Sequence, residues 1–289
     1  MNTFEQALMS AVPELEKEPG DYEKDGIVYC GKCNTPRQIH LPAPGTALDG
    51  RLVIISCKCR EAAYSANLAE KKAKENRDKL SAHIRETIEA GVAEPFPAAT
   101  FDLDDQPERR ASKLARGYVE KWDLPEDEDG TFANNIGIMF YGPPGTGKTF
   151  LAGCIANALH DRLSHVLYTS IRKLATAAAR NFGADADYVE REVRRCSLLV
   201  LDDFGVERDT EYSWEQTERI INWRYDSGKP TIATTNLSPA DMKDGDITRQ
   251  RVFDRMLEMC STIKVDGESR RKQSAARKAQ IARRLIEEG

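Results

Sequence analysis

One eight-residue run restricts the fold of this 289-residue chain more than any other: Gly142, Pro143, Pro144, Gly145, Thr146, Gly147, Lys148 and Thr149. It satisfies G-x-x-x-x-G-K-[ST] at every fixed position. The apolar stretch Ile136–Tyr141 precedes it and the helical stretch FLAGCIANAL follows, so the order is strand, loop, helix. Each part has a physical reason. Glycines let the backbone close into a concave nest whose N–H groups face phosphate oxygens. The N-terminus of the following helix adds positive potential. Lys148 is then expected to contact the β- and γ-phosphates, and the Thr149 hydroxyl to help hold Mg²⁺.

The rest of the C-terminal two thirds fits the same architecture. Strand candidates at Ile136–Tyr141, Val166–Thr169, Leu198–Leu201, Thr231–Thr234 and Thr262–Val265 alternate with helical stretches at Lys148–Leu163, Ile171–Asn181 and Trp214–Ser227. Strand and helix taking turns implies an α/β fold with a mostly parallel sheet covered by helices on both faces, and the Gly142–Thr149 loop makes it a P-loop fold. Leu198–Leu201 ends in Asp202 and Asp203. Ligands of α/β sheets bind at the C-terminal ends of strands. There Asp202 is well placed to act on Mg²⁺ through water, as the second acidic partner of the metal, and Asp203 is placed to polarise an attacking water as general base. Two adjacent carboxylates repel unless a cation is near. Thr234, Thr235 and Asn236 close another apolar strand, where a polar residue either orients water at the γ-phosphate or caps a helix or turn; spacing alone leaves both open.

Upstream, Cys30 and Cys33 form C-x₂-C, and Cys57 and Cys59 form C-x-C. Two thiolate pairs can close a tetrahedral, structural zinc site. A segment of about 30 residues lacks the core to fold unaided, which strengthens that reading. His40 is an alternate ligand, although four cysteines suffice. Cys154, Cys196 and Cys260 sit in apolar contexts and read as small core residues. The expected organisation is an N-terminal region over 1–60 with the zinc knuckle at 30–59, an Ala/Lys/Glu-rich helical linker over 61–94, and the ATPase domain over 95–289 ending in a basic helix at Ser269–Glu288. A short helix is also expected before Pro13.

Composition removes several function classes. No apolar run approaches the roughly 20 residues that cross a bilayer, and the acidic start lacks the basic, then apolar, pattern of a secretory signal. Membrane and export readings fall away, and the odd count of seven cysteines fits a reducing, cytoplasmic setting. A net charge of −5 does not mark a protein that coats nucleic acid globally, so any DNA contact is local. Of the basic residues Arg270, Arg271, Lys272, Arg277, Lys278, Arg283 and Arg284, all but Arg270 either track a phosphate backbone or form a solvated helix face. Aromatic side chains available for base stacking include Tyr212, Trp214, Trp223 and Tyr225, of which Trp223 and Tyr225 read rather as helix-packing residues.

The segments YGPPGTGKTFLAGCIANAL, LLVLDDFG, INWRYDSGKPTIATTN and RVFDRM resemble the AAA+ ATPase domain of bacterial DnaC-type replicative helicase loaders and of IstB-type transposition helper ATPases, over about residues 95 to 275. The phosphate loop is common to many ATPases; LDDFG together with R-Y-x-x-x-K-P-T and R-V-x-D-R-M is far more specific. The resemblance implies roles by position. Asn236 falls at the sensor-1 position. Arg251 falls at the arginine finger, which reaches the ATP of a neighbouring subunit, and Arg270 at sensor 2 within the same chain. In other nucleotide hydrolases such an arginine is worth roughly 10³–10⁵ in rate. Asp203 departs from the Asp-Glu of many AAA+ enzymes, and its shorter side chain points to slow turnover, as suits a switch. A zinc-binding helicase-contact domain before the ATPase is similar to DnaI-like loaders. The implied partners are a hexameric replicative helicase (DnaB-like), single-stranded DNA and further copies of the chain. The implied cofactors are ATP and Mg²⁺, with structural Zn²⁺. An IstB-type transposition helper and a nucleotide-dependent binding module that never hydrolyses ATP are the rival readings.

Overall fold

The computed structural model describes residues 15–40, 44, 50–122, 136–162, 164–180, 184–206, 210–243, 245–271, 278 and 280. The chain divides into two compact units, Met1–Arg77 and Asp78–Gly289.

In the first unit, β1 (Tyr22–Lys24) and β2 (Ile27–Tyr29) form an antiparallel hairpin. Asp25 and Gly26 close it with φ of 54° and 75°, the left-handed pair that a type I′ turn requires. Strands β3 (Gln38–His40) and β4 (Leu52–Ile54) form a second antiparallel pair. A buried ion pair between Arg37 and Asp21 ties the unit together. Its buried apolar side chains, among the described residues, are Val28, Cys30 and Cys57. That is too small a core for independent stability. Helix α1 (Lys58–Glu89) starts here, and every residue from Arg60 to Arg77 is exposed. The Ala/Lys/Glu composition supports a helix without needing a buried face.

The second unit is built on a five-stranded, all-parallel sheet in the order β6 (Val166–Thr169), β7 (Leu198–Leu201), β8 (Thr231–Thr235), β5 (Gly137–Tyr141), β9 (Cys260–Lys264). Its inner strands are buried on both faces, which explains their unbroken apolar runs. Side chains alternate across the sheet. Met139, Leu167, Leu199, Leu201 and Ala233 face one core, shared with α4 (Ile171–Ala178), α5 (Ala184–Arg195), α6 (Glu211–Asp226) and α7 (Ile247–Met259). Ile138, Phe140, Leu198, Val200 and Ile232 face the other, shared with α2 (Arg110–Glu120) and α3 (Lys148–Asp161). The parallel α/β architecture expected from the alternation is the one observed.

Boundaries differ in places. The last strand lies two residues earlier than the expected Thr262 start, because α7 ends at Met259 and passes straight into β9. The expected Ile171–Asn181 helix stops at Ala178, and Trp214–Ser227 begins instead at Glu211, where the Thr210 hydroxyl accepts the Ser213 N–H as an N-cap. Cys154, Cys196 and Cys260 are buried, as expected of core residues. The expected helix before Pro13 lies outside the described residues. So does most of Ser269–Glu288, of whose basic residues Arg270, Arg271 and Lys278 are described.

Candidate functional site

Three neighbouring strands deliver the site. The phosphate loop follows β5, Asp202 and Asp203 follow β7, and Asn236 follows β8. They meet at a cavity of about 280 Å³ lined by Gly145, Gly147, Lys148, Thr149, Asp203 and Asn236, with Arg270 on its wall. In the loop, Gly142 has φ 144° and a Cβ there would sit 2.6 Å from the Val265 carbonyl oxygen, so no larger residue fits. Gly145, at φ 83°, is pressed in the same way against Ser269. The loop is further closed by the Thr146 hydroxyl donating to the Pro143 carbonyl at 2.9 Å.

Lys148 is 5% exposed. Its ammonium donates to the carbonyls of Gly142 (2.8 Å) and Pro143 (2.9 Å) and to Asn236 Oδ1 (2.8 Å). Burial, with Arg271 nearby, lowers its pKa below the ordinary lysine value, against the attraction of Asp203 and Asp202. Such an amine gains from an arriving phosphate.

Asp202 is held by three hydroxyls. Thr149 donates to Oδ1 at 2.9 Å, Thr234 to the same oxygen at 2.5 Å, and Tyr168 to Oδ2 at 2.9 Å. Adjacent oxygen ligands on an octahedral Mg²⁺ lie about 2.9 Å apart, given bonds of 2.0–2.1 Å. The Thr149–Asp202 spacing and its hard oxygen donors fit that ion. Asp203 sits at φ 53°, and its N–H donates to the Thr234 hydroxyl at 2.9 Å. The left-handed turn separates the two carboxylates, leaving Asp203 on the cavity wall and Asp202 beside Thr149.

Two of the arginines named above occupy different places. Arg270 lines the cavity, pairs with Asp105, lies over the Phe150 ring, and donates its backbone N–H to the Gly145 carbonyl at 3.0 Å. Arg251 is exposed on α7 and takes no part in the cavity of its own chain. Of the aromatic candidates, Trp214 and Trp223 are buried and cannot stack on bases; Tyr212 is 64% exposed. Tyr225 is occupied by Glu258 and Arg255.

Residues 131–279, more than half of the chain, match the family described as IstB-like ATP binding protein. The chain belongs to the IstB-like ATP-binding proteins. It is also similar to the replicative helicase loader DnaC of Escherichia coli K12, at 30% identity over 159 residues, 54% of this chain and 60% of the relative. To the replicative helicase loader DnaI of Bacillus subtilis it is 30% identical over 154 residues, 47% of each chain. The chain thus spans less than two thirds of the curated relatives it matches. A crystal structure of the DnaC helicase loader superposes with a TM-score of 0.48 at 25% identity, covering 60% of this chain and 100% of that one.

Outside the matched segment, this IstB-like protein gathers Cys30, Cys33, Cys57 and Cys59, whose sulfur atoms all lie within 4.8 Å of one another. Cys30 and Cys59 are 3.6 Å apart, and Cys57 and Cys59 3.4 Å. A tetrahedral ZnS₄ site has sulfurs about 3.8 Å apart, given bonds of about 2.3 Å, so the four thiols fit one. All are free of disulfides. The Thr35 hydroxyl and the Cys59 backbone draw Cys33 down to about 6, whereas the Cys57, Cys33 and Cys30 sulfurs push Cys59 up to about 12. So many thiolates do not coexist without a cation. His40 is turned elsewhere, to the Gly50 carbonyl at 2.7 Å.

Tyr168 and Arg109 belong to the nucleotide site although no motif marks them, whereas Thr234 lies in the polar strand end Thr234–Asn236 already singled out. Tyr168 and Thr234 fix the acidic pair. Arg109, at the start of α2, donates to the Thr146 carbonyl at 3.0 Å, while its other terminal nitrogen is buried with no hydrogen-bond partner. Burial and Arg270 lower its pKa from the ordinary arginine value. Arg109 precedes the loop by more than 30 residues, with no motif to flag it.

Proposed function

We propose that this IstB-like protein is an ATP-hydrolysing switch that loads a hexameric replicative helicase onto single-stranded DNA. The observation that carries the reading is the convergence of Lys148, Thr149, Asp202, Asp203 and Asn236 on one cavity, in a chain 30% identical to two replicative helicase loaders. Gly142, Pro143, Pro144, Gly145, Thr146 and Gly147 cradle the phosphates, and Lys148 exchanges its carbonyl contacts for phosphate oxygens. Thr149 and Asp202 hold Mg²⁺, which neutralises phosphate charge when bound. Asp203 accepts the proton of the attacking water, and Asn236 orients that water. Arg270 meets the γ-phosphate in the same chain, while Arg251, exposed on α7, serves the nucleotide of a neighbouring copy. The domain organisation follows the division into 1–60, 61–94 and 95–289. The Cys₄ knuckle holds structural Zn²⁺ and grips the helicase. Single-stranded DNA is contacted locally, through basic residues such as those of the C-terminal stretch. We place the protein in the cytoplasm, where its thiols stay reduced.

The test uses purified full-length chain, Mg²⁺, labelled ATP, a replicative helicase hexamer and circular single-stranded DNA. Lys148→Ala is expected to lose nucleotide binding, and Asp203→Asn to bind normally but turn over about 100-fold more slowly. Mixing Arg251→Ala with Lys148→Ala restores part of the turnover if the arginine acts across subunits, since one class of interface then carries both intact residues. No transfer of helicase onto DNA, with ATP hydrolysis intact, would leave an ATPase of the transposition-helper kind. The family match favours that second reading, and transposase binding with stimulation by double-stranded DNA would establish it. Nucleotide binding without any turnover would leave a pure binding module.

A further inference from the structure

Away from the nucleotide cavity, the second unit holds a cluster that the proposed function does not use. His83 near the end of α1, His165 just before β6, and Glu192 on α5 bring one imidazole nitrogen each and a carboxylate oxygen to within 4.8 Å of one another. His83 Nε2 is 2.9 Å from Glu192 Oε2, and His165 Nε2 is 3.7 Å from the same oxygen. The two rings meet edge to face, 4.8 Å between centroids. His165 precedes β6 at its N-terminal end, the edge of the sheet opposite to the one that carries the phosphate loop.

We propose that His83, His165 and Glu192 form a second divalent-metal site, of the two-histidine, one-carboxylate kind that takes Zn²⁺. Three ligand atoms bonded at 2.0–2.1 Å around a tetrahedral ion lie about 3.3 Å apart. The observed 2.9 and 3.7 Å bracket that value, so small side-chain rotations suffice. Glu192 is 2% exposed, and a buried carboxylate needs a strong partner. The imidazoles are partly exposed and give an ion its entry path. Binding requires neutral imidazole, the form that offers a ring-nitrogen lone pair to the ion. With the Nε2 lone pairs turned to the ion, the His83 proton resides on Nδ1, which faces Glu86 Oε2 at 4.0 Å. At that distance there is no hydrogen bond, and a rotation of the exposed Glu86 side chain would bring it to the position from which a carboxylate orients a ligating histidine. The Tyr188 hydroxyl, whose pKa is raised by burial and by Glu192 and Glu86, is buried with no hydrogen-bond partner among the described residues. Three protein ligands leave one position for water. The site joins α1, the approach to β6 and α5, so its consequence is to clamp three elements that are far apart in the chain.

Co²⁺ titration of the tag-free, metal-stripped full chain separates this site from the cysteine cluster. Cobalt on thiolates gives intense charge-transfer bands in the near ultraviolet; cobalt on imidazole and carboxylate does not. The expected result is one equivalent that raises those bands and a second that raises only weak visible bands, with matching zinc content by elemental analysis. His83→Gln with His165→Gln abolishes the second equivalent and leaves the first. Glu192→Gln, which keeps the hydrogen-bonding shape, weakens it at least about tenfold. Circular dichroism in metal-free buffer verifies that the variants are folded. Binding of the thiolate-held ion alone by the wild type, or an unchanged second equivalent in the variants, overturns the proposal. So does a loss of thermal stability in the variants that is the same with and without added metal, because the cluster is then a hydrogen-bonded lock.

Discussion

Thr234 shows how much one hydroxyl can organise. It accepts the Asp203 N–H and donates to Asp202, so the backbone of one carboxylate and the side chain of the other depend on the same oxygen. Thr234→Val keeps the shape and removes that oxygen. Leaving a buried N–H and a carboxylate short of partners costs about 1–3 kcal/mol, readable as a lowered urea midpoint. Turnover is expected to fall at least about tenfold with nucleotide binding retained, in a filter-binding and phosphate-release pair of assays. Lys148, Thr149, Asp202 and Asp203 were legible in the sequence because their chemistry depends on short, fixed spacings. Tyr168 and Arg109 were not read as parts of the site, because they act across 34 and 37 residues of chain; Thr234 was singled out within a polar strand end, but its bond to Asp202, 32 residues away, was not foreseen. Arg251 was named by resemblance alone, and its exposure on α7 is ordinary for an arginine.

At the scale of elements, the same contrast holds. Strands buried on both faces announce themselves as apolar runs, and β5 to β8 lie within a residue of where they were expected. Helix α5 escaped notice because its sequence, ADADYVEREVRR, is mostly charged and only Val189 and Val193 reach the core. The motif R-Y-x-x-x-K-P-T served only as a mark of the resemblance, and its arginine proves structural. Arg224 is fully buried on α6, and its guanidinium donates to the carbonyls of Val193 (2.9 Å), Cys196 (3.0 Å), Ser197 (3.3 Å) and Pro230. It pins α6 to the end of α5 and to the approaches of β7 and β8. Burial lowers its pKa from the ordinary arginine value, but the carbonyls keep a cation well solvated. Arg224→Met fills similar space while stranding those acceptors, and is expected to cost of order 3 kcal/mol, measured by equilibrium urea unfolding with nucleotide binding as the check on the native state.

For the molecule as a whole, the two units rest on different forces. The Asp78–Gly289 unit has two continuous apolar cores, one on each face of its sheet. The Met1–Arg77 unit has almost none, so under the proposed Zn²⁺ site its order is expected to depend on the ion held by its four cysteines. Structural zinc in such small folds is worth roughly 10–16 kcal/mol of apparent folding free energy. A strong thiol-compatible chelator is therefore expected to abolish protease protection of the first unit, while affinity for labelled adenine nucleotide changes less than about twofold; mass spectrometry of the limited digest reads the first, equilibrium filter binding the second. The second unit also offers a mechanical consequence. Gly142 is wedged against the Val265 carbonyl, Gly145 against Ser269, and the Gly145 carbonyl takes the Arg270 N–H. Not even a methyl group separates the phosphate cradle from the stretch Val265–Arg271. The cradle and that stretch share their contacts, so a shift in the one is expected to be felt in the other.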